Sequence, residues 1–466
     1  MAGYDYDMAV IGSGPGGHGA AIQASKLGKR VVVLEKQSDI GGETVNVGTP
    51  SKTVREAALY LTGYRERNIY GESYAVKDKI TMGDLMVRTR YVMEHQADML
   101  RSQLIQARVD MVNAEGSFLG PHTLNLVSDG GRSNRTITAD KVVIAVGTIS
   151  TMPPVVYADG RLVFVGDDVL NLPDLPRTLA IVGAGPIGLE YCSTFAELGV
   201  RVTLVNMAAR ILPFADDELV DTLIYHLRQR DVSFRLSEEV FDIEYMRDGL
   251  GDRVRVKLVS GNQIVSDAVM YCVGRTGSTS SLNLVAAGLE ADPRGRLGVD
   301  ENYQTGVEGI YAVGGVIGFP NLVSTSEMQG RLAACHAFGV EANSFPGLFP
   351  YTIRTIPEIA MVGKTESELT EEGTPYEVGR ARYRDIVKSM IQGEDAGLLK
   401  LLFNPESRRL LGVHIIGEGA AELIHIGQAV IAHEGRVDYF LDSVTSHPTL
   451  SEAYVAAALD GIGRLG

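Results

Sequence analysis

Met8-Ala9-Val10-Ile11-Gly12-Ser13-Gly14-Pro15-Gly16-Gly17 decides how this chain folds, because an apolar strand runs into a Gly-x-Gly-x-x-Gly loop and then a small-residue helix. The arrangement returns in Leu179-Ala180-Ile181-Val182-Gly183-Ala184-Gly185-Pro186-Ile187-Gly188. In such a loop the first glycine, Gly12 or Gly183, makes the tight turn. The second, Gly14 or Gly185, lets the backbone approach a pyrophosphate. The third, Gly17 or Gly188, lets the helix pack close to the strand, and the helix N-terminus offers free N–H donors and a positive dipole. One loop suggests one dinucleotide; two suggest a pair that exchanges electrons.

About twenty residues after such a loop the second strand should end in a residue that reads the ribose. After the first loop, Arg30-Val31-Val32-Val33-Leu34-Glu35 ends in an acid. A carboxylate there accepts bonds from ribose hydroxyls, which fits the adenosine half of FAD or NAD. After the second, Arg201-Val202-Thr203-Leu204-Val205-Asn206 ends in an amide. Asparagine bonds a hydroxyl without repelling a phosphate, so NAD and NADP both stay open. Arg210 is near enough in sequence to meet a 2′-phosphate, or else to serve in a structural ion pair.

At 466 residues the chain is too long for one domain, and 45% hydrophobic with 22% charged residues suits a globular protein with a substantial core. The net charge of −15 argues against nucleic acid, since no basic stripe would offset phosphate repulsion. No uninterrupted apolar run approaches the roughly 18 residues of a spanning helix. Met1-Ala2-Gly3-Tyr4-Asp5-Tyr6-Asp7 has neither a basic start nor an apolar core. No secretory signal or membrane anchor is therefore expected, and a cytoplasmic location is. Cys192, Cys272 and Cys335 lie far apart among apolar or small residues and read as buried thiols, not as a disulfide framework or zinc site.

Strand and helix patterns alternate through roughly the first 340 residues, the mark of parallel sheets with crossover helices. The expected fold class is α/β, with two Rossmann-like dinucleotide-binding domains followed by a C-terminal α+β dimerisation domain. The first domain is expected to be discontinuous, 1–150 and 277–346, around a second nucleotide domain at 151–276; the C-terminal domain covers 347–466. Helices are expected at 51–64, 81–108 and 326–338. Lys141-Val142-Val143-Ile144-Ala145-Val146-Gly147 reads as a buried strand closing the first section. Gly309-Ile310-Tyr311-Ala312-Val313-Gly314-Gly315-Val316-Ile317-Gly318 reads as another, bringing the chain back to the first domain. Residues 398–403 and 409–417 pattern as an antiparallel hairpin.

Together these residues resemble the two-dinucleotide-binding-domain flavoproteins that include glutathione reductase and dihydrolipoamide dehydrogenase. Within them the chain is most similar to the soluble pyridine nucleotide transhydrogenases. That similarity is carried by 42–70, by Tyr271-Cys272-Val273-Gly274-Arg275-Thr276-Gly277, by Tyr376-Glu377-Val378-Gly379-Arg380-Ala381 and by Glu418-Gly419-Ala420-Ala421-Glu422-Leu423-Ile424-His425-Ile426-Gly427-Gln428. The resemblance implies that Gly12, Gly14, Gly17 and Glu35 bind the ADP half of FAD. It implies that Gly183, Gly185, Gly188 and Asn206 hold NAD or NADP. Gly147, Gly274 and Gly315 fall in motifs that would line the cofactor sites. Lys52 matches the family lysine against flavin N5, and Glu190 matches its ion-pair partner. A cation there stabilises the anionic reduced flavin and favours accepting a hydride.

The sequence also departs from this family. Its disulfide reductases carry a redox-active cysteine pair in the segment that here reads Gly41-Gly42-Glu43-Thr44-Val45-Asn46-Val47-Gly48-Thr49-Pro50-Ser51-Lys52. Thr44 and Thr49 stand at those positions and cannot pass electrons as a disulfide, which excludes thiol-substrate reduction by the usual relay. One residue is missing before Pro50 relative to the family pattern, which would rotate the following helix start by about 100° if uncompensated. Gly315 replaces an aspartate whose carboxylate bonds a ribityl hydroxyl of FAD, a loss of roughly 1.5–3 kcal/mol. In Ser446-His447-Pro448-Thr449-Leu450-Ser451-Glu452, His447 and Glu452 match the acid–base pair that the partner subunit contributes in disulfide reductases. Transhydrogenases tend to have tyrosine at that histidine. Without thiols the pair reads as structural, at a dimer interface, or as a polar contact with a second substrate.

The expected activity is hydride transfer between NADPH and NAD through FAD, by ping-pong, in a homodimer with nicotinamide dinucleotides as substrates. The alternatives are an NAD(P)H diaphorase or quinone reductase on the same scaffold, and a non-catalytic homologue that holds flavin poorly.

Overall fold

The computed structural model describes residues 3–71, 73–128, 131–153, 156–249, 251–342, 345 and 347–465. Residue 346, the expected end of the first domain, lies outside them. The chain divides into two compact units: 1–53, 86–151 and 274–345 form one, and 54–85, 152–273 and 346–466 form the other. Residues 54–85, expected with the first domain, group with the second unit. Their apolar side chains Val54, Ala57, Ala58 and Leu85 belong to the same core as Leu189 and Phe195.

In the first unit the central strands are Asp110–Asn113, Val31–Glu35, Tyr6–Ile11 and Ser133–Ile144, in that spatial order and parallel. All five residues of Val31–Glu35 are buried, as a parallel strand covered on both faces requires. Ser133–Ile144 is long enough to serve two pairings. Its first half pairs antiparallel with Thr123–Ser128, and its end pairs parallel with Ile310–Ala312. The returning strand expected at 309–318 is therefore Ile310–Ala312, followed by a 3-10 turn at Gly314–Ile317. Helix Val323–Ala337 packs on helix Pro15–Lys26 so closely that a Cβ at Gly330 would lie 1.9 Å from the Gly16 carbonyl oxygen.

The second unit holds a five-stranded parallel sheet in the order Ser233–Leu236, Arg201–Asn206, Thr178–Val182, Ala268–Tyr271, Val163–Val165. A three-stranded antiparallel sheet, Val240–Asp248, Gly251–Leu258 and Gln263–Ser266, stands beside it. The C-terminal part is an antiparallel sheet in which Leu398–Phe403 and Leu410–Ile416 form the expected hairpin. Helices Ala420–Ala432 and Glu452–Ile462 cover it through Ile424, Tyr454 and Ala457. The molecule is thus an α/β protein with two parallel-sheet nucleotide folds and an α+β C-terminal part. Among the described residues no helix is long and apolar enough to cross a membrane.

One buried acid in this second unit has a consequence for stability. Glu394 is 2% exposed, and its Oε1 has no hydrogen-bond partner among the described residues. Burial, then the neighbouring Glu418 carboxylate, push its pKa up to about 8 from the ordinary 4.5. The folded state therefore holds a proton that the unfolded chain releases. The contribution to stability is full below the unfolded value and is lost as pH rises through the folded one. Glu394→Gln is expected to remove that loss. Its gain in unfolding free energy should grow across this window by at most about 1.36 kcal/mol per pH unit and level off above it. Urea melts of both proteins at acidic, neutral and alkaline pH check this; a pH-independent difference would refute it.

Candidate active site

The first glycine loop has the backbone its sequence calls for. Gly12 sits at φ +102°, and a Cβ at Gly17 would lie 2.0 Å from the Gly12 carbonyl oxygen. Gly14 is different: nothing lies within 4 Å of where its Cβ would be. Two glycines are demanded by the protein's own packing, and the middle one leaves its side of the loop open. Gly14 also caps helix Pro15–Lys26 without any side-chain hydrogen bond, so the first N–H groups remain for a ligand. Glu35, 6% exposed, accepts from the Ser13 N–H at 3.0 Å, the Ser13 hydroxyl at 2.6 Å and the Gln37 N–H at 3.0 Å. Those bonds leave about one of a carboxylate's roughly four acceptor positions for a ribose hydroxyl.

The second loop repeats this plan in the other unit. Gly183 has φ +106°, a Cβ at Gly188 would fall 2.0 Å from the Gly183 carbonyl oxygen, and Gly185 faces open space. Asn206 takes the place of Glu35: its Oδ1 accepts from the Ala184 N–H at 3.1 Å, while its Nδ2 donates to the Ala208 carbonyl at 2.9 Å. An amide can hold the loop as an acid does, without adding a negative charge. Arg210 pairs with Asp217, the ion-pair alternative of the two open for it.

Beside the first loop, Gly41 and Gly42 lead into a π-helical turn, Thr44–Gly48, which passes directly into helix Thr49–Thr62. The turn runs into the helix without a break, and Pro50 stands in the first turn, where its missing N–H costs no helical bond. Lys52 lies in its first turns, half-buried, with Nζ 3.3 Å from the Ser51 hydroxyl. Glu43, one residue before the turn, was not singled out by sequence, yet it anchors a polar cluster. Its Oε1 is 3.0 Å from Arg275 Nη2, and its Oε2 accepts from the Thr148 hydroxyl at 3.0 Å. Arg275 also donates to the Thr148 hydroxyl at 2.8 Å and to the Ser150 hydroxyl at 3.1 Å. Gly147 (φ +64°) and Gly274 (φ +130°) flank these residues, and a Cβ at Gly147 would come 3.8 Å from Glu43 Oε2. Gly315 joins the same cluster, because a Cβ there would meet Thr148 Cγ2 at 3.0 Å.

The remaining candidates fall in the second unit. Glu190, on helix Pro186–Glu197, accepts from the Arg354 N–H at 2.8 Å. Lys52 and Glu190, expected as a pair, belong to different units. His447 Nδ1 lies 2.8 Å from Glu452 Oε1, and Glu452 Oε2 accepts from the Thr449 N–H at 3.0 Å. The hydrogen bond from His447 holds the Glu452 carboxyl below its usual range. The histidine is 62% exposed. The three cysteines are free, and burial pushes the Cys192 thiol up. Among the described residues no group of acids, histidines and cysteines could hold a metal ion.

Residues 6–330 match the pyridine nucleotide-disulphide oxidoreductase profile, and 349–458 match the dimerisation domain of the same proteins. The chain belongs to the pyridine nucleotide-disulphide oxidoreductase family. A soluble pyridine nucleotide transhydrogenase from Mycobacterium tuberculosis is 48% identical over 462 residues, 99% of this chain and 98% of the relative. Another from Marinobacter nauticus is 40% identical over 469 residues, all of both chains. Among solved structures, the HOCl-induced flavoprotein disulfide reductase RclA from Escherichia coli is 25% identical over 97% of this chain and 99% of that one, with a TM-score of 0.86. LpdA from Mycobacterium tuberculosis is 26% identical over 97% of this chain and 98% of that one, at 0.87.

As a member of this oxidoreductase family the chain is an FAD-dependent enzyme of pyridine nucleotides, and its C-terminal part is a homodimerisation domain. The geometry suits those groups: each loop leaves its middle glycine open and its helix N-terminus uncapped by side chains. Sequence did not reveal the Glu43–Arg275–Thr148 cluster. Arg275 was visible in the quoted Val-Gly-Arg motif, but its partner was an ordinary acid between two glycines and a threonine.

Proposed function

We propose that this oxidoreductase transfers hydride between NADPH and NAD by a ping-pong cycle, without a redox-active disulfide. The observation that carries this reading is the pair of complete, open phosphate loops in a chain with threonine at 44 and 49. FAD would supply the two-electron carrier at N5 that lets one nucleotide leave before the next binds. Gly12, Gly14, Gly17 and Glu35 would hold its ADP half, while Gly147, Gly274 and Gly315 line the path beside the Glu43–Arg275 cluster. Gly183, Gly185, Gly188 and Asn206 would hold whichever nicotinamide dinucleotide is present. An uncharged Asn206 suits both, since it accepts or donates to a 2′-hydroxyl and does not repel a 2′-phosphate.

Lys52 would face the flavin; no residue needs to move a proton for the transfer itself. His447 and Glu452 serve as a structural pair at the dimer interface, where the C-terminal domain completes the partner's site. The working division is an FAD domain of 1–150 with 277–346, a nucleotide domain of 151–276 and an interface domain of 347–466, in a cytoplasmic enzyme. Stopped-flow mixing of the FAD-loaded protein with NADPH is expected to bleach the flavin, and NAD should restore its colour. Reduction that NAD cannot reverse but quinones can would overturn the reading in favour of a diaphorase.

A further inference from the structure

Gly315 is buried at the start of the turn after strand Ile310–Ala312. A Cβ there would lie 2.6 Å from Asn321 Oδ1 and 3.3 Å from Asn321 Cγ, so the carboxamide of Asn321 already fills the space a side chain at 315 would enter. Asn321 reaches that place with φ +43°, in the left-handed region that asparagine enters more readily than most residues. Among the described residues its carboxamide makes no hydrogen bond. The side chain is exposed, in a left-handed backbone over a buried glycine, and its donor and acceptor are held by no other residue, so a ligand beside Gly315 can take them from water. Thr148 and, through it, Glu43 and Arg275 adjoin the same spot.

We infer that Asn321 supplies the polar contact to the hydroxylated chain of the bound flavin cofactor that Gly315 cannot make. This rests on the reading that the first loop binds FAD. The amide oxygen accepts from a hydroxyl and the amide nitrogen donates to one, so the contact is kept without a carboxylate. It is a neutral bond, weaker than one to an ionised acid. A side chain at 315 would take the volume of the Asn321 carboxamide and turn it out toward solvent, so the two positions serve one contact in alternation.

The test is a mutant cycle read by quenching of FAD fluorescence on titration with apoprotein, with thermal melts of each apoprotein as the folding control. Asn321→Ala is expected to raise the FAD dissociation constant about 3- to 10-fold at an unchanged melting temperature. Gly315→Asp should push the exposed carboxamide aside and set a carboxylate in its place, so this variant should bind at least as tightly as the parent. In that background Asn321→Ala should cost nothing, a non-additivity that independent sites would not show. An unchanged constant for Asn321→Ala, or the same loss from it in both backgrounds, overturns the inference. A parent protein that takes up no FAD at all overturns instead the reading beneath it.

Discussion

Lys400→Ala is expected to lower the unfolding free energy by about 3–5 kcal/mol, the usual cost of leaving a buried charge without its partner. Lys400 is 1% exposed in the middle of strand Leu398–Phe403, whose every residue is buried. Its Nζ lies 2.8 Å and 3.0 Å from the two oxygens of Asp216, itself 2% exposed, and 3.3 Å from Glu218 Oε2; Glu366 also contacts it. Asp216 in turn caps helix Asp217–Gln229 by accepting from the Glu218 N–H at 3.1 Å. One ammonium group therefore neutralises acids from the nucleotide-fold helix and the C-terminal part within the second unit. Without it, buried Asp216 loses its cation, while Arg380 still holds Glu218 at 2.8 Å and reaches Glu366 at 3.9 Å. Lys400→Met with Asp216→Asn keeps the cap and removes both buried charges, and should recover most of the loss. Denaturant titration of the three proteins decides it. A loss under about 1 kcal/mol for Lys400→Ala would mean that water reaches the pair and that it behaves as a surface contact.

Gly185→Val is expected to weaken NADPH and NAD binding about 100-fold while leaving the fold and the flavin content unchanged. The open space around Gly185 receives a side chain without a clash inside the protein, so the cost falls on the ligand alone. Holding a pyrophosphate away from even one or two charge-assisted backbone bonds, each worth roughly 1.5–3 kcal/mol, accounts for that factor. Gly188→Ala is the contrasting variant. Its Cβ would meet the Gly183 carbonyl oxygen at 2.0 Å, so it should lower the melting temperature as well as binding. Titration calorimetry with each nucleotide, alongside thermal melts and the flavin spectrum, separates the two outcomes. Parent-like nucleotide affinity in Gly185→Val would show that the nucleotide binds elsewhere.

Much of this was legible along the chain because the motifs are local. A glycine loop needs only neighbouring residues to turn, cap and approach, which is why both loops have the geometry their spelling implies. The end-of-strand rule worked for the same reason: Glu35 and Asn206 each reach back to the residue after the first glycine, Ser13 or Ala184. The turn just before Pro50 was not legible. A π-turn at Thr44–Gly48 has no sequence signature of its own and arises where continuous helix packing outweighs regular geometry.

The sequence by itself determined two parallel-sheet nucleotide folds, an antiparallel C-terminal part, the absence of a cysteine pair at 44 and 49, and the family. Each depends on residue order over short spans or on the identity of a single side chain. Only the tertiary structure decided that residues 54–85 group with the second unit, that Glu43 finds Arg275, that Lys400 balances Asp216, and that Asn321 lies over Gly315. Those pairings join residues far apart in the chain or across a turn, and their energy depends on distance and burial. A lysine in an apolar run and an asparagine after a proline look ordinary until the fold shows what stands opposite them.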